Sequence, residues 1–300
     1  MTDQRYFWVL GATGYVGRAV VNYLLRTEPG AHIVAVGHWT LDTELMERTH
    51  FLMAPLDEFD FGWLERYPPH SVVHCARLAG ATPAARRKAA KRGYEANLRW
   101  RTALEALPNP PKVVYCSGTL MYGNSTDPIF EHAPIRPIAY ARAYEHAERP
   151  WRENQGPLDV RMAYPAWIFG ADSWFESFFH RPAREGGAVP YYGNGEQLMS
   201  LVHLNEVAEK LVQIAQRGRP NEAYNLFGLE PVSQRAFAEE VARQLGKKTQ
   251  QVAEPKVDRD VREALLSSMP IATAHTDFFR HLSARSAGLK ELVNAVLKGE

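Results

Sequence analysis

Net charge of either sign is almost absent. The 35 Lys and Arg against 34 Asp and Glu leave +1 over 300 residues. That balance excludes a nucleic-acid binder that relies on overall positive charge. Cysteine is scarce too: Cys75 and Cys116 are the only two. They cannot form a disulfide framework, and free thiols point to a cytoplasmic setting. No apolar run approaches the roughly 18 residues of a membrane span. The opening residues lack the apolar stretch and cleavage site of a signal peptide. No CxxC spacing occurs, and no metal is expected. What is present fills a core: 45% of residues are apolar and 23% charged, which excludes a disordered chain.

The first residues set the fold class. Tyr6-Phe7-Trp8-Val9-Leu10 is a short apolar run of β-formers and reads as a buried strand. A glycine loop follows, then Ala19, Val20, Tyr23, Leu24 and Leu25 at helical spacing. Pro29-Gly30 stops that helix, and His32-Ile33-Val34-Ala35-Val36 is a second strand. This is a βαβ unit. The alternation continues with strands at residues 71–75, 112–116 and 159–163 and helices at 94–106 and 140–152. It predicts an α/β protein with a doubly wound, mostly parallel sheet of Rossmann type. Residues 171–200 lose all periodicity, and helices return at 205–217, 233–246 and 286–298. The expected division is a dinucleotide-binding domain over 1–170 and a smaller substrate lobe over 171–300, with 200–230 returning to the first.

Gly11, Gly14 and Gly17 lie between strand and helix. Glycine there permits the tight turn, close approach to a pyrophosphate and close helix–strand packing. The helix N-terminus offers free N–H groups and partial positive charge to phosphates. Thr13, Tyr15 and Val16 share the loop and Arg18 follows it. The bland alternative is a glycine turn that binds nothing. A carboxylate for a ribose 2′-OH is expected about 20 residues on, but Gly37-His38 stands there. His38 and Arg18 suit a 2′-phosphate, so the reading is NADP or NAD, leaning to NADP. Both are equally readable as solvated surface residues.

Further motifs then line up in order. Gly11-Ala12-Thr13-Gly14-Tyr15-Val16-Gly17 resembles the TGxxGxxG loop of the extended short-chain dehydrogenase/reductases, the epimerase/dehydratase group. Leu56-Asp57 resembles that family's third-strand Asp, which holds the adenine. Val72-Val73-His74-Cys75-Ala76 is similar to its fourth-strand motif, and Asn97 to its structural, water-ordering Asn. The segment 113–123, with Ser117, Gly118, Thr119 and Tyr122-Gly123, resembles "VYxSSxxxYG". Pro165-Ala166-Trp167-Ile168-Phe169-Gly170 resembles "PxxxYG", and residues 201–208 resemble "xVHVxDVA". The resemblance spans roughly residues 5–245. It implies a cofactor site that includes Leu56, Asp57, Ala76 and Pro165, a small-molecule substrate, and a homodimer.

The family's catalytic trio is a Ser or Thr after strand five and a YxxxK pair on the next helix. There the Lys lowers the Tyr pKa and holds the ribose. This chain departs at two of the three positions. Tyr140 matches the Tyr, Tyr144 stands where the Lys belongs, and Gly118 stands where the Ser or Thr belongs. None of the 13 tyrosines is followed by Lys at the fourth position. A free phenol has a pKa near ~10, and each unit of lowering needs about 1.4 kcal/mol of phenolate stabilisation. Tyr144 brings no charge. Tyr140 is therefore expected to donate a proton or hydrogen bond to a carbonyl rather than to act as a base, with Tyr144, Ser117 or Thr119 assisting.

The expected function is an NAD(P)-binding enzyme with a non-standard active site that reduces a carbonyl or acts on a nucleotide-sugar or secondary-metabolite substrate. The alternatives are a non-redox isomerase, lyase or cyclase on the same fold, and a catalytically silent dinucleotide binder. Three further features have two readings each, and a fourth has one. The basic run at 86–92 is a solvated helix face or an attractor of an anionic substrate. Cys75 and Cys116 are inert thiols or a chemical pair. His74 and His203 read as core residues. Trp167, Trp174, Phe175, Phe178, Phe179, Tyr191 and Tyr192 are a core or an aromatic wall.

Overall fold

The computed structural model describes residues 5–279 and 288–299. β1 (Tyr6–Leu10) leads into α1 (Tyr15–Thr27) and β2 (His32–Gly37), then α2 (Thr43–Glu47), β3 (His50–Met53), α3 (Trp63–Arg66) and β4 (Pro69–His74). α4 (Pro83–Glu105), β5 (Lys112–Cys116), α5 (Ala141–Arg152) and β6 (Val160–Pro165) complete the alternation. Shorter pieces follow: β7 (Trp167–Phe169), α6 (Arg181–Gly186), β8 (Ala188–Tyr192), β9 (Leu198–Met199) and β10 (Leu201–His203). α7 (Leu204–Arg217), β11 (Ala223–Leu226), β12 (Val232–Ser233), α8 (Gln234–Leu245), β13 (Lys248–Val252), α9 (Arg259–Leu266) and α10 (Leu289–Lys298) end the series.

The chain divides into two compact units: residues 1–117, 143–164 and 208–224, and residues 118–142, 165–207 and 225–300. The first is built on a seven-stranded sheet of order β11-β6-β5-β4-β1-β2-β3. The pairings from β6 through to β3 are all parallel. β1 and β4 are almost wholly buried because helices cover both faces of such a sheet. The strand order reverses between β1 and β4, and in open α/β sheets the ligand crevice lies outside the carboxyl ends of the strands at that point.

α4 starts eleven residues before the expected position 94, at Pro83 against the expected range 94–106. Thr82 caps it, accepting from the Ala85 N–H at 3.2 Å, and Pro83 occupies the first turn. Gly93 lies within this helix and is buried, and a Cβ there would stand 3.3 Å from the Ala147 methyl. The glycine lets α4 approach α5 rather than ending the helix. Positions 286 and 287 of the expected last helix lie outside the described residues.

The second unit has its own core of Phe169, Phe175, Phe179, Phe237, Leu265 and Val293. Three two-stranded pairings serve it: β10 with β7, β12 with β9, and β13 with β8. Trp174 meets Trp167 at 4.8 Å and Phe179 at 5.6 Å between ring centroids. Of the two readings of the aromatic segment, core packing accounts for these rings.

Candidate active site

The glycine loop at the end of β1 is tightly determined. Gly11 has φ +81°, and a Cβ on it would lie 2.8 Å from the Ala76 backbone. Its N–H and that of Ala12 both donate to the Val36 carbonyl, at 2.8 and 2.9 Å. A Cβ on Gly17 would stand 2.2 Å from the Gly11 carbonyl oxygen. Gly14 precedes α1, whose first turn has no acidic residue and no side-chain cap. Tyr15 and Val16 open that turn. The positive end of the helix dipole is therefore not neutralised by a carboxylate of its own helix. Gly37 completes the cradle, because a Cβ there would meet the Thr13 side chain at 2.5 Å. Such a cradle fits a pyrophosphate.

Asp57 supplies a second test of fit. It lies beyond β3, which ends at Met53, so the expectation that Leu56-Asp57 closes the third strand is corrected. Arg92 Nε donates to Asp57 Oδ2 at 2.7 Å. Asp57 Oδ1 is buried and has no hydrogen-bond partner. A buried acceptor without a donor is costly, and an exocyclic amine such as that of adenine would satisfy it. Leu56 is buried, and its carbonyl accepts from Trp100 Nε1 at 3.1 Å. Arg18 forms an ion pair with Asp42. His38 is exposed, its ring tilted at 47° to that of Trp39 with centroids 4.7 Å apart.

The ends of β4 and β5 and one face of α5 form a polar cluster. Ser117 Oγ donates to Glu148 Oε2 at 2.6 Å. Glu148 is buried and also accepts from Arg152 at 2.9 Å, while Arg152 reaches Glu145 as well. Burial pushes the Glu148 carboxyl above the usual carboxylate range, against the lowering effects of Ser117 and Arg152. Sequence reasoning missed Glu148 and Arg152. Their signal is the four-residue recurrence of Tyr144, Glu148 and Arg152, which aligns them on one helix face.

Tyr144 is buried. Its hydroxyl accepts the Gly80 N–H at 3.1 Å, and the Arg77 guanidinium lies 4.5 Å above its ring. Tyr144 thus pins the segment after β4. Asn97 is buried: its Nδ2 donates to the Ala147 carbonyl at 2.7 Å, leaving Oδ1 to accept from His74 Nε2 at 3.0 Å. Complete burial lowers the His74 pKa to about 4. Cys75 and Cys116 end up as neighbours at the carboxyl ends of paired strands. The hydrogen bond with Cys116, then burial, pushes the Cys75 thiol up. That suits an unreactive thiol more than a nucleophile.

In the second unit, Gly118 is extended at φ 178°, and a Cβ there would meet only the Pro165 carbonyl, at 4.0 Å. A serine would fit, but none is present. Thr119 is buried and opens a short 3-10 turn. Tyr122 donates to Asn225 Oδ1 at 2.9 Å. Tyr140 is half-buried, immediately before α5. Pro165 is the last residue of β6. Among the described residues, no group of three or more His, Cys, Asp or Glu is placed to hold a metal, and no helix is long and apolar enough to cross a membrane.

The model of the NAD dependent epimerase/dehydratase family matches residues 7–226. No curated protein matches the sequence. Solved structures match over almost the whole length. A dTDP-glucose 4,6-dehydratase from Streptomyces venezuelae, with NAD and TYD bound, is 19% identical with a TM-score of 0.77, covering 98% of this chain and 97% of that one. A UDP-glucuronic acid 4-epimerase from Bacillus cereus, in complex with UDP-glucuronic acid and NAD, is 16% identical with a TM-score of 0.77, covering 98% of each chain. A dTDP-glucose 4,6-dehydratase from Bacillus anthracis, in complex with NAD, is 18% identical with a TM-score of 0.71, covering 99% and 97%. At these identities the likeness is one of fold. The family match over residues 7–226, on a chain that carries the glycine cradle and the Rossmann strand order, makes this protein a member of the NAD-dependent epimerase/dehydratase family.

Proposed function

We propose that the protein is an NAD-dependent reductase of a carbonyl group on a nucleotide-linked sugar or similar anionic small molecule. The observation that supports this reading is the close-packed glycine loop after β1 together with a neutral Tyr144, its hydroxyl occupied by the Gly80 N–H, at the position where the resemblance expects a lysine. The bound dinucleotide supplies a hydride. Gly11, Gly14 and Gly17 would hold its pyrophosphate and Asp57 its adenine. Tyr140 donates its phenolic proton to the carbonyl oxygen as the carbon is reduced, which needs a proton donor and no base. The opposite direction, oxidation of an alcohol, would need a phenolate, and Tyr144 carries no charge to favour one.

The lean to NADP is revised. Arg18 is already paired with Asp42, and the three solved relatives carry NAD. The nucleotide-sugar class draws support from the ligands of those relatives and from Arg87, Lys88 and Lys91, exposed on the half of α4 that follows β4. A homodimer is proposed by family analogy, and light scattering tests it.

The test is a fluorescence titration with NADH and NADPH, followed by NADH oxidation on a panel of nucleotide-linked keto-sugars. Tighter binding of NADH and turnover that falls at least about 100-fold in Tyr140→Phe are expected. Tight NADH binding with no turnover would favour a silent binder. Turnover without any dinucleotide would favour a non-redox isomerase or lyase.

A further inference from the structure

Three residues other than glycine have positive φ among the described residues: Ala139, Asp172 and Asn221. Asp and Asn tolerate the left-handed region because their side chains bond locally. Alanine has no such compensation, so its φ of +51° must be imposed by its surroundings. It immediately precedes Tyr140, and it is buried, at 2% exposure.

The source of the constraint is visible within the second unit. The Ala139 N–H donates to Glu263 Oε2 at 3.0 Å. Arg142 donates to the other oxygen, Oε1, at 2.7 Å. One carboxylate therefore grips the chain on both sides of Tyr140. Its grip on Arg142 holds the Glu263 carboxyl below the usual carboxylate range. The Arg142 N–H closes the turn on the Ala139 carbonyl at 3.3 Å, and the Ile138 N–H is tied to the Leu120 carbonyl at 3.0 Å. Glu263 itself stands on a fixed base. α9 buries Ala264 and Leu265, and the Leu265 carbonyl accepts from both Gln197 Nε2 and Gln234 Nε2, each at 2.9 Å. The clamp is thus rigid at one end and applied to a strained turn at the other.

We infer that Glu263 is a positioning residue, whose carboxylate, bridging the Ala139 amide and the Arg142 guanidinium, holds the left-handed turn that presents Tyr140. The inference rests on the proton-donor reading of Tyr140. Nothing in the sequence marks Glu263: it lies 124 residues from Ala139.

The experiment uses the full chain labelled with 3-fluorotyrosine, with the Tyr140 resonance assigned through Tyr140→Phe. Three readouts are followed in Glu263→Ala, Glu263→Gln and the double variant Glu263→Ala/Ala139→Gly. Hydrogen exchange of the peptide over 136–143 should speed up about tenfold or more in Glu263→Ala, as loss of a charge-assisted hydrogen bond implies. Glu263→Gln, which keeps an acceptor for the amide, should retain part of the protection. The Tyr140 fluorine resonance should move in Glu263→Ala and return toward its original position in the double variant, because glycine adopts the left-handed turn without help. NADH-dependent turnover should show kcat reduced about tenfold to hundredfold with KM little changed, as misplacement of a reacting group predicts.

Unchanged exchange and an unmoved resonance in Glu263→Ala would overturn the clamp. A moved resonance with undiminished kcat would overturn the positioning role. Absence of rescue by Ala139→Gly would reduce Glu263 to an ordinary ion pair with Arg142. Failure of the underlying reading shows separately, as a Tyr140→Phe enzyme with normal turnover, and it would take the positioning role with it.

Discussion

A lysine at position 144, where the sequence resemblance expects one, should harm this protein. In Tyr144→Lys an ammonium would enter the volume of the ring, whose centroid lies 4.5 Å from the Arg77 guanidinium carbon. Two unit charges at that distance repel by about 1 kcal/mol in a water-like medium and about 4 kcal/mol at an effective dielectric of 20. Arg77 is exposed, so the lower half of that range applies. The Gly80 N–H would also lose its acceptor, since an ammonium can only donate, at a cost of about 1 kcal/mol. The attraction between guanidinium and ring, about 0.5–1 kcal/mol, would go too. Together these destabilise by roughly 2.5–4.5 kcal/mol, or about 4–7 °C in Tm for a chain of 300 residues. Thermal unfolding followed by circular dichroism measures it, on wild type, Tyr144→Lys, Arg77→Ala and the double variant. Arg77→Ala should be mildly destabilising alone and should recover a large part of the loss in the lysine background. A Tyr144→Lys protein as stable as wild type, or one that Arg77→Ala does not relieve, would refute the assignment of Tyr144 as the pin of this segment.

The remaining predictions concern the sheet and the cradle. His74 has a pKa near 4 when folded against about 6.5 unfolded, so the unfolded chain takes up the proton first. Stability should therefore fall as pH drops from about 6.5 to 4, by roughly 3 kcal/mol from this residue, and urea midpoints of wild type and His74→Gln across that range should show the difference in slope. Gly17→Ala places a methyl 2.2 Å from the Gly11 carbonyl oxygen. It should cost about 1–3 kcal/mol and abolish NADH binding in a fluorescence titration, and an unaltered titration would remove the glycine loop from the cofactor site.

The class of fold and the cradle were legible in the sequence because their signals are local. A short apolar run, a glycine triplet and a helical period within residues 6–36 determine a βαβ unit whatever lies elsewhere. Tyr144, where the resemblance expects a lysine, is legible in the same local way. Only the tertiary structure decided what each site residue holds. Tyr144 meets Gly80 across 64 residues, Ser117 meets Glu148 across 31, and Asp57 meets Arg92 across 35. No periodicity encodes such pairs, because hydrogen bonds and ion pairs depend on distances in space. The same reason explains Gly93, whose role as a contact point for Ala147 is set by α5 and not by its own neighbours in sequence. The left-handed Ala139 is a further case: alanine's own preference argues against the turn, and a carboxylate from α9 outweighs it.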